Sequence, residues 1–237
     1  MHGEADISAA AALLAEPARA QLVLAVIEQG PQPASELAAR AGIAASTASG
    51  HLARLVNAGF LVARKNGRYR YYDLSDPNVA EAVEALARVA PQREVRSLRE
   101  ATRSELLREA RTCYDHLAGR LGVALARGLE RKQVVVRRNG AFEIGPQAEE
   151  RLDDLGVDLA ALERQRRPLV RACLDWSERK PHIAGALGAA VTTRLFELGW
   201  VVRRDGSRSV AVTATGWRLL RRHFTVELPQ HAGGRPS

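Results

Sequence analysis

A mainly α chain with short antiparallel hairpins, an α+β organisation, is predicted by three features of the sequence. Residues 34–72 carry two short helical patterns joined by a turn and followed by a basic hairpin. Residues 92–115 form a long, heavily charged amphipathic pattern. The second half of the chain repeats itself, so one structural unit is used twice.

Taken in order, Ile7–Leu14 reads as a first helix and Ala18–Glu28 as a second, closed by Gly30-Pro31. Two more helical patterns meet at Ala41-Gly42-Ile43. The second of them runs from Ala45 and stops at Asn57-Ala58-Gly59. Phe60-Leu61-Val62 and a turn at Asn66-Gly67 then give a hairpin. Together these make a helix-turn-helix with a β-wing. Pro77–Val89 forms the next helix, Pro91 breaks the pattern, and Gln92–Asp115 resumes as a linking and dimerisation helix with Leu98, Ala101, Leu106, Ala110 and Cys113 near one stripe. The expected domains are 1–90, a winged helix-turn-helix; 91–112, the linking helix; 113–225, a duplicated domain; and 226–237, a disordered tail.

The chemistry of the first domain suits double-stranded DNA. Ala48, Leu52, Leu55 and Val56 fall at spacings of three and four and share one face. The opposite face carries Thr47, Gly50, His51 and Arg54, with Ser46 and Ser49 at its margins. Short hydroxyls and flexible bases of this kind fit base edges and phosphates in a major groove. No carboxylate lies between Glu36 and Asp73, a span that holds Arg40, Arg54, Arg64, Lys65, Arg68 and Arg70. Phosphate repulsion would penalise acids there. A competing class is a protein-interaction module, because helix-turn-helix folds also serve that role.

The motifs Ser35-Glu-Leu-Ala, Ser46-x-x-Ser49-x-His51-Leu52-x-x-Leu55-x-x-Ala58-Gly59-Phe60-Leu61-Val62 and Gly67-Arg68-x-x-x-Tyr72 resemble the ArsR/SmtB family of bacterial winged-helix repressors over residues 7–90. The resemblance implies a homodimer that binds an operator near its own promoter and leaves it when an effector arrives. It also implies DNA contacts by Ser46, Thr47, Ser49, His51 and Arg54, with Gly50 on the same face, flanked by the wing residues Arg64, Lys65, Arg68 and Tyr69. The family's usual metal-sensing positions are absent. Ser35–Arg40 and Leu52–Val56 have no cysteine, and Asn78–Ala90 has no histidine. Any sensor lies elsewhere.

Composition narrows the class further. The net charge of +8 favours a polyanionic partner, although Lys65, Lys132 and Lys180 are the only lysines and the strong arginine bias weakens that inference. The start of the sequence shows no basic leader, and the apolar run Ala9–Ala15 is too short to span a bilayer, so a cytoplasmic location without membrane contact is expected. Two cysteines give no disulfide framework. No catalytic constellation is visible, so an enzyme is not expected.

The repeat carries the remaining chemistry. Arg111-Thr-Cys113-Tyr-Asp115, followed at once by His116, recurs as Arg171-Ala-Cys173-Leu-Asp175, with His182 following after Trp176–Pro181. Val134–Gly140 likewise matches Trp200–Gly206. Each copy reads as a degenerate winged helix. Ala186, Leu187, Ala189 and Val191 occupy the places held by Ser46, Thr47, Ser49 and His51, so groove donors have become packing residues. Cys113 and His116, three apart on an expected helix, would share a face, and packing of the copies about a pseudo-twofold would bring in Cys173 and His182 as a Cys2His2 set. Asp115 and Asp175 would orient the imidazoles. Thiolate with imidazole suits zinc, cadmium or lead. Three other readings stand beside it. The thiols sense oxidants, helped by Arg111 and Arg171. The cysteines are duplicated core residues. An organic effector sits near Trp176, Trp200 and Trp217. The spacing Gly119/Gly122 and Gly185/Gly188, read as lying inside helical patterns with no preceding strand, points to close packing rather than a phosphate loop.

Overall fold

Asp6 starts the first helix by accepting the Ala9 amide at 3.0 Å, and α1 runs Ile7–Ala15. Pro17 opens α2 (Pro17–Gln29), where its missing amide costs nothing. A short strand β1 (Gln32–Pro33) leads into α3 (Ala34–Ala41). Gly42 then adopts the left-handed conformation, φ 65°, that lets the chain turn into α4 (Ala45–Asn57). β2 (Leu61–Asn66) and β3 (Tyr69–Leu74) form the wing, turning at Gly67, and α5 (Pro77–Val89) follows. The sheet order is β1-β3-β2, with Leu61 opposite Leu74 and Asn66 opposite Tyr69. Leu22, Val23, Val26, Leu37, Leu52, Leu55 and Leu61 are all buried and make the core on which α4 and the wing rest. The expected limits of α1, α2 and α5 agree with those observed to within one residue.

The structure is a computed structural model that describes residues 4–91, 94–204 and 207–227. It divides into two compact units after Leu86. The expected disordered tail falls, apart from Val226 and Glu227, outside the described residues, as do Gln92 and Arg93 of the expected linking helix. Among the described residues no single helix is long and apolar enough to cross a membrane.

In the second unit the linking helix is shorter than expected. α6 spans Leu98–Glu109, capped by Ser97, and the chain turns extended at Ala110 (φ −155°, ψ 133°). Cys113 therefore lies on a strand, β4 (Arg111–Cys113), paired with β5 (His116–Ala118). The cause is non-local. Ala110 accepts the Val210 amide at 2.9 Å, and Thr112 donates to Arg208 at 3.0 Å, so distant pairing overrides local helical preference. Along the expected apolar stripe, Ala110 and Cys113 are buried beyond the helix end and Leu106 is half-buried, whereas Leu98 is 89% exposed on the single chain.

The rest of the unit is built from two similar copies. The first continues from β4 and β5 through α7 (Gly119–Arg131), the hairpin β6 (Val135–Arg138) and β7 (Ala141–Ile144), and α8 (Ala148–Asp153). After α9 (Leu159–Glu163), the second runs β8 (Arg171–Leu174), β9 (Pro181–Ala184), α10 (Gly185–Glu197), β10 (Val201–Arg203), β11 (Val210–Val212) and α11 (Ala214–Phe224). Each copy is thus a hairpin, a helix, a second hairpin standing as the wing, and a closing helix. A shared core joins them, in which Leu121, Leu129, Leu152, Leu187, Leu195 and Leu220 are all fully buried.

The copies interlock reciprocally. β5 packs on α10, and β9 packs on α7. The Leu117 amide of the first copy donates to Thr192 Oγ1 of the second at 3.0 Å. A β-carbon on Gly188 would lie 3.2 Å from the His116 β-carbon, and one on Gly122 would lie 3.7 Å from that of His182. These glycines pack closely, as the spacing suggested. The accompanying expectation that no strand precedes the pattern is overturned, because β5 runs directly into Gly119 and β9 into Gly185. The helix starts are nonetheless already occupied. The Gly119 amide donates to Asp175 at 2.7 Å, while Ala186 and Leu187 donate to the Pro168 and Leu169 carbonyls.

Candidate nucleic-acid interface and candidate metal centre

On α4 the buried side is Ala48, Leu52 and Leu55, each fully shielded. That leaves Ser46, Thr47, Ser49, Gly50 and Arg54 exposed and His51 half-buried along the other side. The helix is capped by Ala44, which offers no side-chain acceptor. Its first-turn amides are thus available to an external anion, and the helix dipole favours one there. On the wing, Arg64, Lys65, Arg68 and Tyr69 are all exposed, and the Arg68 guanidinium lies 5.0 Å from the Tyr69 ring centre. Alternation along β2 and β3 directs their inner residues, Leu61, Tyr72 and Leu74, to the core. The result is an uncapped helix start and a positive hairpin tip on one small fold, with the groups needed to hold phosphates and reach base edges.

The second site is built from two hairpins. Cys113 lies opposite His116 across β4 and β5, and Cys173 lies opposite His182 across β8 and β9. Cys113 and His116 meet as cross-strand neighbours, which corrects the expectation of a shared helix face. The first hairpin turns on Tyr114-Asp115, with Tyr114 in the left-handed region at φ 59°. Contact between β5 and β9 brings the hairpins together. The Cys113 and Cys173 sulfurs are 3.9 Å apart, and the His116 and His182 ring centres are 5.1 Å apart. One ligand atom from each of the four residues lies within 4.8 Å of all the others. Cys113, His116 and His182 are buried, and Cys173 is half-buried.

A carboxylate lies near each imidazole, but only His116 is hydrogen-bonded to its own. His116 Nδ1 is 3.0 Å from Asp115 Oδ1, and Arg167 donates to the other oxygen of Asp115 at 2.7 Å. His182 Nδ1 is 3.6 Å from Asp175 Oδ2, beyond hydrogen-bond range. Asp175 is itself saturated by Arg111 at 2.9 Å, the Gly119 amide, and the Ser177 and Glu178 amides. Burial alone would raise the Asp175 carboxyl, but the Arg111 charge and these amides outweigh it and hold it well below the usual carboxylate range. Asp115 is lowered in the same way by His116 and Arg167, against its burial.

The sulfurs sit in a polarised setting. The Cys173 thiol is pulled strongly below its ordinary value by the Cys113 sulfur and by His116 and His182, against its burial. Burial opposes charge on His116, yet Asp115 and Cys173 together raise it above the usual histidine value. Arg111 does not supply this effect, contrary to expectation. It is fully buried, pairs with Asp175 and lies 4.6 Å from the centre of the Trp176 ring.

These residues fit a thiophilic ion. The Nε2 atoms of both histidines and Nδ1 of His182 are buried without a hydrogen-bond partner, so each ring keeps a nitrogen that no protein group engages. A tetrahedral zinc with Zn–S near 2.3 Å separates two thiolates by about 3.8 Å, and the observed separation is 3.9 Å. Two soft sulfurs with two imidazoles discriminate against magnesium and calcium. Trp176 stacks under Arg111, Trp200 lies 5.5 Å from His223, and Trp217 neighbours Arg221. Between α7 and α10 a cavity of about 10 Å³, lined by Leu117, Gly122, Ile183 and Gly188 among others, has room for a single water at most.

A winged helix-turn-helix with an open basic recognition surface, followed by an appended duplicated domain, defines a DNA-binding transcriptional regulator of the ArsR-like class. Comparison with known proteins agrees: a family model described as a helix-turn-helix domain matches residues 14–64. An uncharacterized HTH-type transcriptional regulator, YdfF of Bacillus subtilis, is 38% identical over 223 residues, covering 94% of this chain and 99% of its own. The chain belongs to this family of HTH-type transcriptional regulators, and the likeness extends through the C-terminal domain. A probable mercury resistance operon repressor of Streptomyces lividans is 39% identical over 70 residues, 30% of this chain and 55% of the repressor. A solved homodimeric winged helix-turn-helix domain, Mb0332 of Mycobacterium bovis, is 26% identical, covers 41% of this chain and 100% of its own, and has a TM-score of 0.31.

Proposed function

We propose that this regulator is a cytoplasmic homodimeric repressor that binds a specific operator through α4 and the wing, and that a thiophilic metal ion governs its release. Zinc, cadmium or lead would be held by Cys113, His116, Cys173 and His182. The observation that carries the reading is the convergence of these four ligand atoms within 4.8 Å, together with the unpartnered Nε2 atoms of both histidines. A bound ion would neutralise the two thiolates and draw the β4–β5 and β8–β9 hairpins onto one centre. Because β4 continues from α6 through Ala110 alone, any shift of that hairpin is passed to α6. Release then follows if the two recognition helices lose their spacing of about one DNA turn, ~34 Å.

Dimerisation is supported by apolar surface left open on a single chain. α1 has no buried residue although it reads Ile-Ser-Ala-Ala-Ala-Ala-Leu-Leu-Ala, and Leu86 and Val89 of α5 are 48% and 80% exposed. The relation to a mercury resistance repressor supports a metal effector, since that relative's name ties it to a thiophilic ion.

The test is to prepare the reduced full-length protein and titrate zinc, cadmium and lead by native mass spectrometry, alongside the Cys113→Ala/Cys173→Ala variant. Binding to DNA from upstream of its own gene is followed in parallel by fluorescence anisotropy. One ion per chain, lost in the variant and weakening DNA binding only in the unmodified protein, supports the reading. An unmodified protein that retains no ion defeats it.

A further inference from the structure

The two cysteines have a relationship that metal binding does not use up. They are the only cysteines of the chain, occupy the same position in the two copies and bring their sulfurs to 3.9 Å. Their surroundings differ: Cys113 is 3% exposed, whereas Cys173 is half-buried and is followed by Leu174, 43% exposed at the edge of its hairpin. Cys173 is the less enclosed residue of the two, and Cys113 stands deeper. This is the arrangement of an attacking thiol with a resolving partner.

We propose that Cys113 and Cys173 form an oxidant-reactive dithiol that a hydroperoxide converts to an intrachain disulfide joining the two copies. In the first step the Cys173 sulfur attacks one peroxide oxygen and the O–O bond breaks. The thiol becomes a sulfenic acid, and the departing hydroxide leaves as water with the proton shed by Cys173. In the second step the Cys113 sulfur displaces hydroxide from that sulfenic acid, its own proton completing a second water. Two thiols are oxidised by two electrons, and one hydrogen peroxide is reduced to two waters. The sulfurs must approach by a further ~1.9 Å to reach bonding distance. The product has no thiolate left for an ion, so oxidation and metal binding exclude each other. The dithiol proposal stands without the metal reading.

The experiment treats the reduced, metal-free, full-length protein with an equimolar amount of hydrogen peroxide, blocks remaining thiols by alkylation and maps the peptides without reduction. The expected result is loss of both thiols and one cross-linked peptide pair containing Cys113 and Cys173, lighter by two hydrogens, in a chain that stays monomeric on a denaturing gel and is restored by dithiothreitol. Cys113→Ser should leave Cys173 as a sulfenic acid that dimedone traps. Three results overturn the proposal: both thiols still alkylated, cross-links between chains, or sulfinic acid at Cys173 with Cys113 still free. A parallel sample loaded with zinc separates the two readings. Protection by retained zinc supports both. A cross-link forming equally fast with no ion retained leaves the dithiol and removes the metal site. A retained ion with no cross-link in the metal-free sample does the reverse.

Discussion

Arg111 and Asp175, sixty-four residues apart, form an ion pair at 2.9 Å in which neither side chain has any exposure to water. Arg111 leads out of α6 in the first copy, and its guanidinium also reaches the Leu107 carbonyl and Ser177. Asp175 belongs to the second copy and lies beside His182. The pair therefore fastens the end of α6 to the hairpin that carries half of the candidate metal centre.

Removing one partner should be costly. Arg111→Met leaves Asp175 buried without its counter-charge, and losses of roughly 3–5 kcal/mol are typical of such cuts. Chemical denaturation of the metal-free protein, followed by Trp176 and Trp200 fluorescence, should show the second unit unfolding earlier. An unchanged midpoint would mean that the pair contributes nothing net.

The same carboxylate makes a pH prediction. Its folded pKa lies below the ordinary value, so the folded state binds fewer protons than the unfolded one in that range. The stabilisation is fully present above pH ~4 and is lost as the pH falls toward the depressed value. Thermal melts of the metal-free protein should lose stability steeply below pH ~4, and Asp175→Asn should flatten that dependence while lowering stability at neutral pH.

For the nucleic-acid surface, Arg54→Ala with Arg68→Ala should abolish DNA binding. Single substitutions should reduce the slope of log affinity against log salt by about 0.9 for each phosphate no longer neutralised. Anisotropy titrations at several salt concentrations check this. An unchanged slope in the double variant would assign the helix and wing to a protein partner.

Two glycines should behave in opposite ways. A β-carbon on Gly50 meets nothing within 4 Å, so Gly50→Ala should stabilise α4 by about 0.5–1 kcal/mol while crowding any groove it enters. A β-carbon on Gly188 would lie 2.4 Å from the Ile183 carbonyl oxygen and 3.2 Å from His116, so Gly188→Ala should cost about 1–3 kcal/mol and weaken metal retention. Melting curves and native mass spectra of the two variants give the comparison.

The first unit is legible in the sequence because its signals are local. Periodicity in Ala45–Asn57, glycine at 42 and 59, and the Asn66-Gly67 turn each act within a few residues. The second unit is legible as a repeat, and the four residues that the repeat singles out are the ones the hairpins gather. The hairpins themselves are hidden. Arg111–Cys113 becomes a strand through pairing with Arg208–Val210, nearly a hundred residues on, and its turn uses Tyr114 at φ 59° where a glycine or asparagine would have announced it. The role of Arg111 is hidden for the same reason, because its partner Asp175 is distant in sequence.

The reciprocal seating of each copy's histidine against the other copy's glycine has a consequence for ancestry. One copy alone owns a single sulfur and a single imidazole of the four, half of the proposed Cys2His2 set. A stand-alone ancestor of this module could have completed the centre only by self-association, with the ligands meeting on the symmetry axis. Fusion of the two halves would have made that encounter independent of concentration and freed each half to diverge, as Cys113 and Cys173 have in their access to solvent.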